Sequence, residues 1–246
     1  MVEPCSTFGS ESWGVMMIKL FGSKRYFSVV LTLLATVLLV ACPLEVPQTF
    51  EITLVNLTHN QPLSPPVYLF HTSEYRPWQL GEVASVAIEK LAESGDSADL
   101  LTGAEAEPTV LSALGEETIL IPGGQHSRIV TVKGGSLFLS VAAMLVNTND
   151  AFAALEAFPL NQVSPGDEMR VSLYALDAGT EENSESITTV PGPAAGGEGF
   201  NPEREIRNIV RYHPGVVSQE DGLVGSVLDQ SHRFDNPVAQ LVIRRL

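Results

Sequence analysis

Asp177, Gly179 and Glu181 lie within five positions of one another in the run LDAGTEEN at 176–183. A second oxygen-rich run, VNTNDAF at 146–152, carries Asp150. Each run begins where a hydrophobic segment stops, so each is expected in a loop at a sheet edge. Two acidic side chains four apart, with glycine between them, can converge because glycine lets the backbone bend at no steric cost. Calcium takes six to eight oxygens at about 2.3–2.6 Å, and short loops of carboxylates, amides and carbonyls can supply them. Neither run has the EF-hand pattern. Two solvated acidic turns, ordinary in so acidic a chain, explain the same residues, and spacing alone leaves both readings open.

Other chemistries find little support. His59, His71, His126, His213 and His232 show neither H-E-x-x-H nor any paired-ligand spacing. His213 precedes proline and His232 precedes arginine, in polar runs that suit turns. No serine sits in a G-x-S-x-G elbow. The glycine runs at 122–124 and 192–199 lack a following Lys-Ser/Thr, so no phosphate cradle is indicated. Two carboxylates in a cleft could support glycoside hydrolysis. However, Trp78 is the only tryptophan after residue 41, and nothing adds a sugar platform. No catalytic residue is assigned. With 29 acidic and 14 basic residues the formal charge is −15, which argues against nucleic-acid binding. Cys5 and Cys42 are the only cysteines, which excludes a disulfide scaffold and a multi-thiolate metal site.

Cys42 has a chemistry of its own. The charge-free run FSVVLTLLATVLLVA at 27–41 follows Lys19, Lys24 and Arg25, the order of a secretory signal. The run is short for a membrane span, which needs roughly 20 apolar residues. It is followed by Pro43, Glu45 and Pro47, without a basic stop-transfer flank. Leu39-Val40-Ala41-Cys42 resembles the bacterial lipobox, in which the cysteine is lipidated and becomes the first mature residue. Residues 1–41 are thus expected to be a signal peptide and 42–49 a short tether. Pro43 stands where an aspartate would mark inner-membrane retention, which favours the outer membrane, facing the periplasm or the surface. The true start is expected at Met16 or Met17, in which case Cys5 is never made. Cleavage removes three basic residues (Lys19, Lys24, Arg25) and two acidic ones (Glu3, Glu11), leaving the mature chain one unit more negative.

Positioning these residues falls to a β-rich domain. Hydrophobic residues make up 44% of the chain, which argues against wholesale disorder. The 20 glycines and 16 prolines imply frequent turns, as in folds of short strands. Period-two alternation predicts strands at 50–57 and 127–132. Further strands are expected at 67–71, 117–121, 169–176 and 237–245. The nearly all-apolar run at 137–145 predicts a strand buried on both faces. Helical spacing at 83–93 predicts a short helix closed by Gly95, with 97–101 as a further turn. The sum is an all-β domain, an antiparallel two-sheet β-sandwich of seven or eight strands with short helical insertions.

Asp177-Ala178-Gly179-Thr180-Glu181 resembles the Asp-Ala-Gly-Thr-Asp signature of spondin domains. MLVNTNDAF at 144–152 is similar to the family segment that precedes that signature. Ala92-Glu93-Ser94-Gly95-Asp96 resembles its Ala-Glu-x-Gly stretch, and PVAQLVI at 237–243 its closing strand. The resemblance spans 50–246. It implies a C2-like β-sandwich with one Ca²⁺ at loops of one end, held by Asp150, Asp177 and Glu181. Glu181 replaces the usual aspartate, Ala151 and Phe152 replace a tryptophan region, and the animal members' disulfides are absent. Animal members attach to matrix, receptors or microbial surfaces. The resemblance therefore implies a monomeric, non-enzymatic adhesion or ligand-binding lipoprotein whose partner is a protein or glycan. An envelope structural protein and a carboxylate-based hydrolase are the alternatives.

Overall fold

The computed structural model describes residues 46–204 and 207–246; Cys42 and the segment before it lie outside the described residues. Among the described residues there are nine strands: β1 (Pro47–Asn56), β2 (Val67–His71), β3 (Val110–Gly115), β4 (Gln125–Lys133), β5 (Phe138–Met144), β6 (Ala151–Pro159), β7 (Glu168–Asp177), β8 (Arg211–Tyr212) and β9 (Ala239–Arg245). Two helices, α1 (Val86–Ser94) and α2 (Ala98–Ala106), lie between β2 and β3. Among the described residues, no helix is long and apolar enough to cross a membrane.

Alternation along β1 sends Phe50, Ile52 and Leu54 into the main core. β2 is buried throughout because both its faces are covered. Tyr68 and Phe70 enter the main core, whereas Val67 and Leu69 meet Ile88, Leu91 and Ala92 of α1. The apolar run of β5 is buried for the same reason, with Leu139 and Val141 facing inward and Ala142 facing the helices. Removing such side chains from water is worth about 1.5–3 kcal/mol each for the larger ones. α1 starts at Ser85, whose side chain accepts from the Ile88 amide. It stops at Gly95, whose φ of 71° turns the chain left-handed.

The strands form one antiparallel sheet in the order β3-β2-β5-β6-β7-β9-β1-β4, with β8 against β7. The expected two-sheet sandwich is thereby corrected. β7 belongs to both halves, pairing β9 from Glu168 to Leu173 and β6 from Tyr174 to Asp177. The sheet wraps the core until its end strands meet. There side chains close it, as Arg128 and His126 of β4 reach Glu116 at 2.6 and 3.1 Å. The fold is a nearly closed, barrel-like antiparallel sheet with two short helices.

Two strands run against expectation. The predicted strand at 117–121 is irregular: Ile119 and Ile121 are exposed, and only Leu120 bridges, to Leu63. The edge position beside β2 goes instead to β3, whose residues are mostly half-buried and alternate weakly. β6, with the helix-favouring sequence AFAALEAFP, is a strand because it lies between β5 and β7, where main-chain partners outweigh propensity. Residues 97–101 do not extend α1 but begin the separate helix α2.

Candidate functional site: a buried carboxylate cluster

The tight turn between β5 and β6 ends on Asp150. Thr148 braces it, donating its hydroxyl to the Leu145 carbonyl at 2.7 Å and accepting from the Ala151 amide at 3.1 Å. The pairing of β6 with β7 sets Ala151 opposite Asp177, which brings the 177–183 loop to Asp150. Asp150 is fully buried. Its Oδ2 accepts the amides of Thr180 and Glu181 at 2.8 and 3.1 Å, while its carbonyl accepts the Ala178 amide at 3.1 Å. Asp150 and the turn carrying Glu181 are thus one hydrogen-bonded unit.

Gly179 makes that turn possible. Its φ is 71°, and a Cβ there would stand 2.3 Å from the Ile209 carbonyl oxygen. Asp177 is also buried, but its carboxylate is engaged. Oδ1 accepts the Gly179 amide at 2.7 Å; Oδ2 accepts Asn183 Nδ2 at 2.9 Å and pairs with Arg211 Nη2 at 3.0 Å.

Glu181 sits beside Asp150 with its Oε2 buried and without a hydrogen-bond partner. A third carboxylate comes from α1. Glu93 is fully buried; its Oε2 accepts the Asn201 amide at 2.8 Å, and its Oε1 has no partner. Asp150 Oδ1 is likewise unpartnered. Burial pushes the Asp150 carboxyl up to about 7, with the nearby Asp177 charge adding to the shift. Burial, then the negative charge of Glu93, pushes Glu181 up to about 8, although Asn149 holds it back. Burial raises Glu93 too. These groups make ionisation costly for one another.

Sequence reasoning brought Asp150, Asp177 and Glu181 to this site but missed Glu93. A signal was available. Glu89 and Glu93 stand four apart on α1 and flank the apolar stripe of Ile88, Leu91 and Ala92, so both are carried inward. Arg211, which pairs with Asp177, gave no sequence signal because it is 34 positions away. Glu185 was missed as well. It has a φ of 53° and is buried, and its carboxyl is pushed up to about 7 by that burial.

Among the described residues, no three His, Cys, Asp or Glu side chains are grouped closely enough, as they stand, to hold a metal ion. The donor chemistry nevertheless fits a hard cation. Three buried carboxylate oxygens, on Glu93, Asp150 and Glu181, have no protein donor. Carboxylate oxygen is the ligand that calcium and magnesium take. The family described as Spondin_N matches residues 58–209, which span α1 and both acidic segments. No curated protein matches the chain.

Proposed function

This chain belongs to the Spondin_N family, and on that premise we propose that it is a calcium-stabilised, non-enzymatic binding module of the cell envelope. The observation that carries the reading is the uncompensated burial of Glu93, Asp150 and Glu181, each with one carboxylate oxygen lacking a partner. A buried ionised carboxylate is costly unless it is paired or bound to metal. Calcium supplies two positive charges where these side chains crowd negative ones. The amides of Thr180 and Glu181 hold Asp150 Oδ2, which leaves Oδ1 for the cation. The Asp177 charge beside Asp150 adds to the negative field, offset in part by its pairing with Arg211. Magnesium binds more weakly because it demands tighter octahedral geometry.

Our reading gives the bound ion a structural role. It ties α1 and the two loops flanking β6 and β7 into one rigid end from which a protein or glycan ligand is held. Cys42 carries the lipid that anchors the module, and the absence of aspartate at Pro43 directs it to the outer membrane. Calorimetric titration of chelator-treated protein with Ca²⁺ tests the cation. Wild type should take up one equivalent, and Asp150→Asn should lose most of the heat while keeping its fold. No heat from the wild type at millimolar calcium refutes the site. Intact mass of the membrane-extracted protein tests the anchor, which requires an amino terminus at diacylglyceryl-modified Cys42.

A further inference from the structure

β7 has one edge that its neighbours leave open. On one side it is flanked by β9 along Glu168–Leu173 and by β8 at Leu176 and Asp177. On the other side β6 accompanies it only from Tyr174 to Asp177. Beyond Ala154, β6 stays with β5 instead, placing Leu155 opposite Val141 and Phe158 opposite Leu139. The break coincides with Ala157, whose φ is 47° and whose amide donates to Ser140 Oγ at 2.9 Å. The β6–β7 hairpin is therefore zipped at its Asp150 end and splayed at its loop end. Among the described residues, no main chain pairs with the β6-facing edge of 168–173.

A cavity of about 510 Å³ opens into the splay. Trp78, packed edge-on against Phe152 at 5.4 Å, lines it. Tyr174 and Tyr212, edge-to-face at 6.3 Å and both well exposed, stand beside it. Leu155, Phe158 and Val171 of its walls also pack against the main core, so the splay leaves the core uncovered at this seam.

We propose that this seam docks an extended, neutral or basic strand of a partner protein. The strand pairs with the open edge of residues 168–173 and sends alternate apolar side chains toward Trp78, Tyr174 and Tyr212. An added strand obtains affinity from main-chain hydrogen bonds and specificity from pockets for alternate side chains, and the seam offers both. A small molecule of suitable volume would leave the free main chain unpaired. Charge selects among strands. At a net charge of −15, two copies of this chain repel each other. At the seam itself Glu156 is paired with Arg76 at 3.4 Å and Glu168 with Arg170, so no local charge excludes a neutral strand and the charge of the whole chain does the selecting. Glu168 and Arg170, paired at 3.1 Å, guard the edge against self-association. The seam supplies the partner class for the adhesion reading, at a place separate from the carboxylates, so calcium binding can fail while this proposal stands.

The test is selection of random dodecapeptides displayed on phage against the detergent-solubilised full chain. Synthetic copies of the enriched peptides should alternate apolar with basic or neutral residues and shift the amide resonances of 155–158 and 168–173. N-methylation at alternate positions removes main-chain donors and keeps side chains, and it should weaken binding by about tenfold or more. Tyr212→Ala should weaken it by a similar factor. Failure to enrich any peptide, amide shifts confined elsewhere, or N-methylated peptides that bind within about twofold of the parents would overturn the proposal.

Discussion

Helix α1 buries two carboxylates four residues apart, and the fold treats them oppositely. Glu89 meets Arg204, whose Nε donates to Oε1 at 2.8 Å and whose Nη2 pairs with Oε2. Arg204 is held in turn by the Ala84 carbonyl at 2.8 Å and Asn208 Oδ1 at 3.1 Å. Glu93, one turn on, has no ion-pair partner: it accepts the Asn201 amide, is eased by the Thr180 hydroxyl and the more distant Arg204 charge, and faces the negative charge of Glu89 and Glu181. Where the chain supplies the counter-charge, a buried acid clamps a loop to a helix. Where it supplies no direct ion pair, the rest of the compensation must come from a proton or from outside the chain. Asp150 and Glu181 share the second condition, and this is why we place the cation there.

Breaking the internal pair should have the largest effect. Arg204→Ala leaves Glu89 buried without its partner, a loss of about 3–5 kcal/mol. For a domain of this size that lowers Tm by roughly 10 °C. The calcium-induced rise in Tm should remain, because Glu89 is not in the cluster. A variant as stable as wild type, or one whose calcium response disappears, would erase the distinction between the two acids.

Gly179→Ala comes next. Its Cβ would approach the Ile209 carbonyl oxygen to 2.3 Å and the Ile209 amide nitrogen to 2.5 Å, and its φ of 71° disfavours any L side chain. Strain and displacement together should cost roughly 3 kcal/mol. Since the shifted turn carries the Thr180 and Glu181 amides away from Asp150, calcium affinity should fall with stability. A melting curve and titration equal to wild type would show that the turn is not what organises the cluster.

Glu93→Gln should do little to stability without metal. The amide oxygen still accepts from Asn201, and one charge leaves a crowded site. Its effect should appear in the calcium response. Ligand binding stabilises by RT ln(1 + [L]/Kd), about 2.7 kcal/mol at a hundredfold excess, and the variant should lose most of that gain. If it keeps the wild-type gain, Glu93 is no ligand.

The finest contrast is in pH. Asp150, Glu181 and Glu185 titrate at about 7, 8 and 7 in the folded chain, well above their unfolded values. The native state therefore holds more protons than the unfolded state through that window, and metal-free stability should fall as pH rises toward 8. His213 acts in the opposite sense, lowered to about 4 by burial, so it withdraws stability as pH falls below about 6.5. His71, lowered by burial, acts with it. Between pH 6.5 and 8 these raised carboxylates set the direction of the change. Urea titrations across that range should show declining stability in chelator and a shallower decline in calcium, the remainder coming from Glu185, which lies outside the cation site. A flat profile in both would mean that the acids are ionised without penalty.

Residues 50–57, 127–132 and 169–176 were legible as strands because alternating burial writes a period of two into the sequence, and α1 was legible from its helical spacing and glycine stop. β3 and β6 were not. β3 is a half-buried edge with weak alternation, and β6 has helix-forming residues overruled by the strands on either side. The single continuous sheet was hidden because it depends on β7 exchanging partners at Leu173–Tyr174, a tertiary choice that its own sequence does not encode. Within the site, Asp150 and Glu181 were visible as acids at strand ends, and the Asp177 carboxylate was visible too. Its engagement by Arg211 was not, since the two are distant in the chain. Glu93 entered only as part of the Ala-Glu-x-Gly stretch, and its burial beside Glu181 became visible with the fold.

Anomalous diffraction from crystals grown in millimolar calcium tests the central claim most directly. A single calcium peak should stand about 2.3–2.6 Å from oxygens of Glu93, Asp150 and Glu181. A map with no peak between them, and the three carboxylates still buried with unpartnered oxygens, would contradict it.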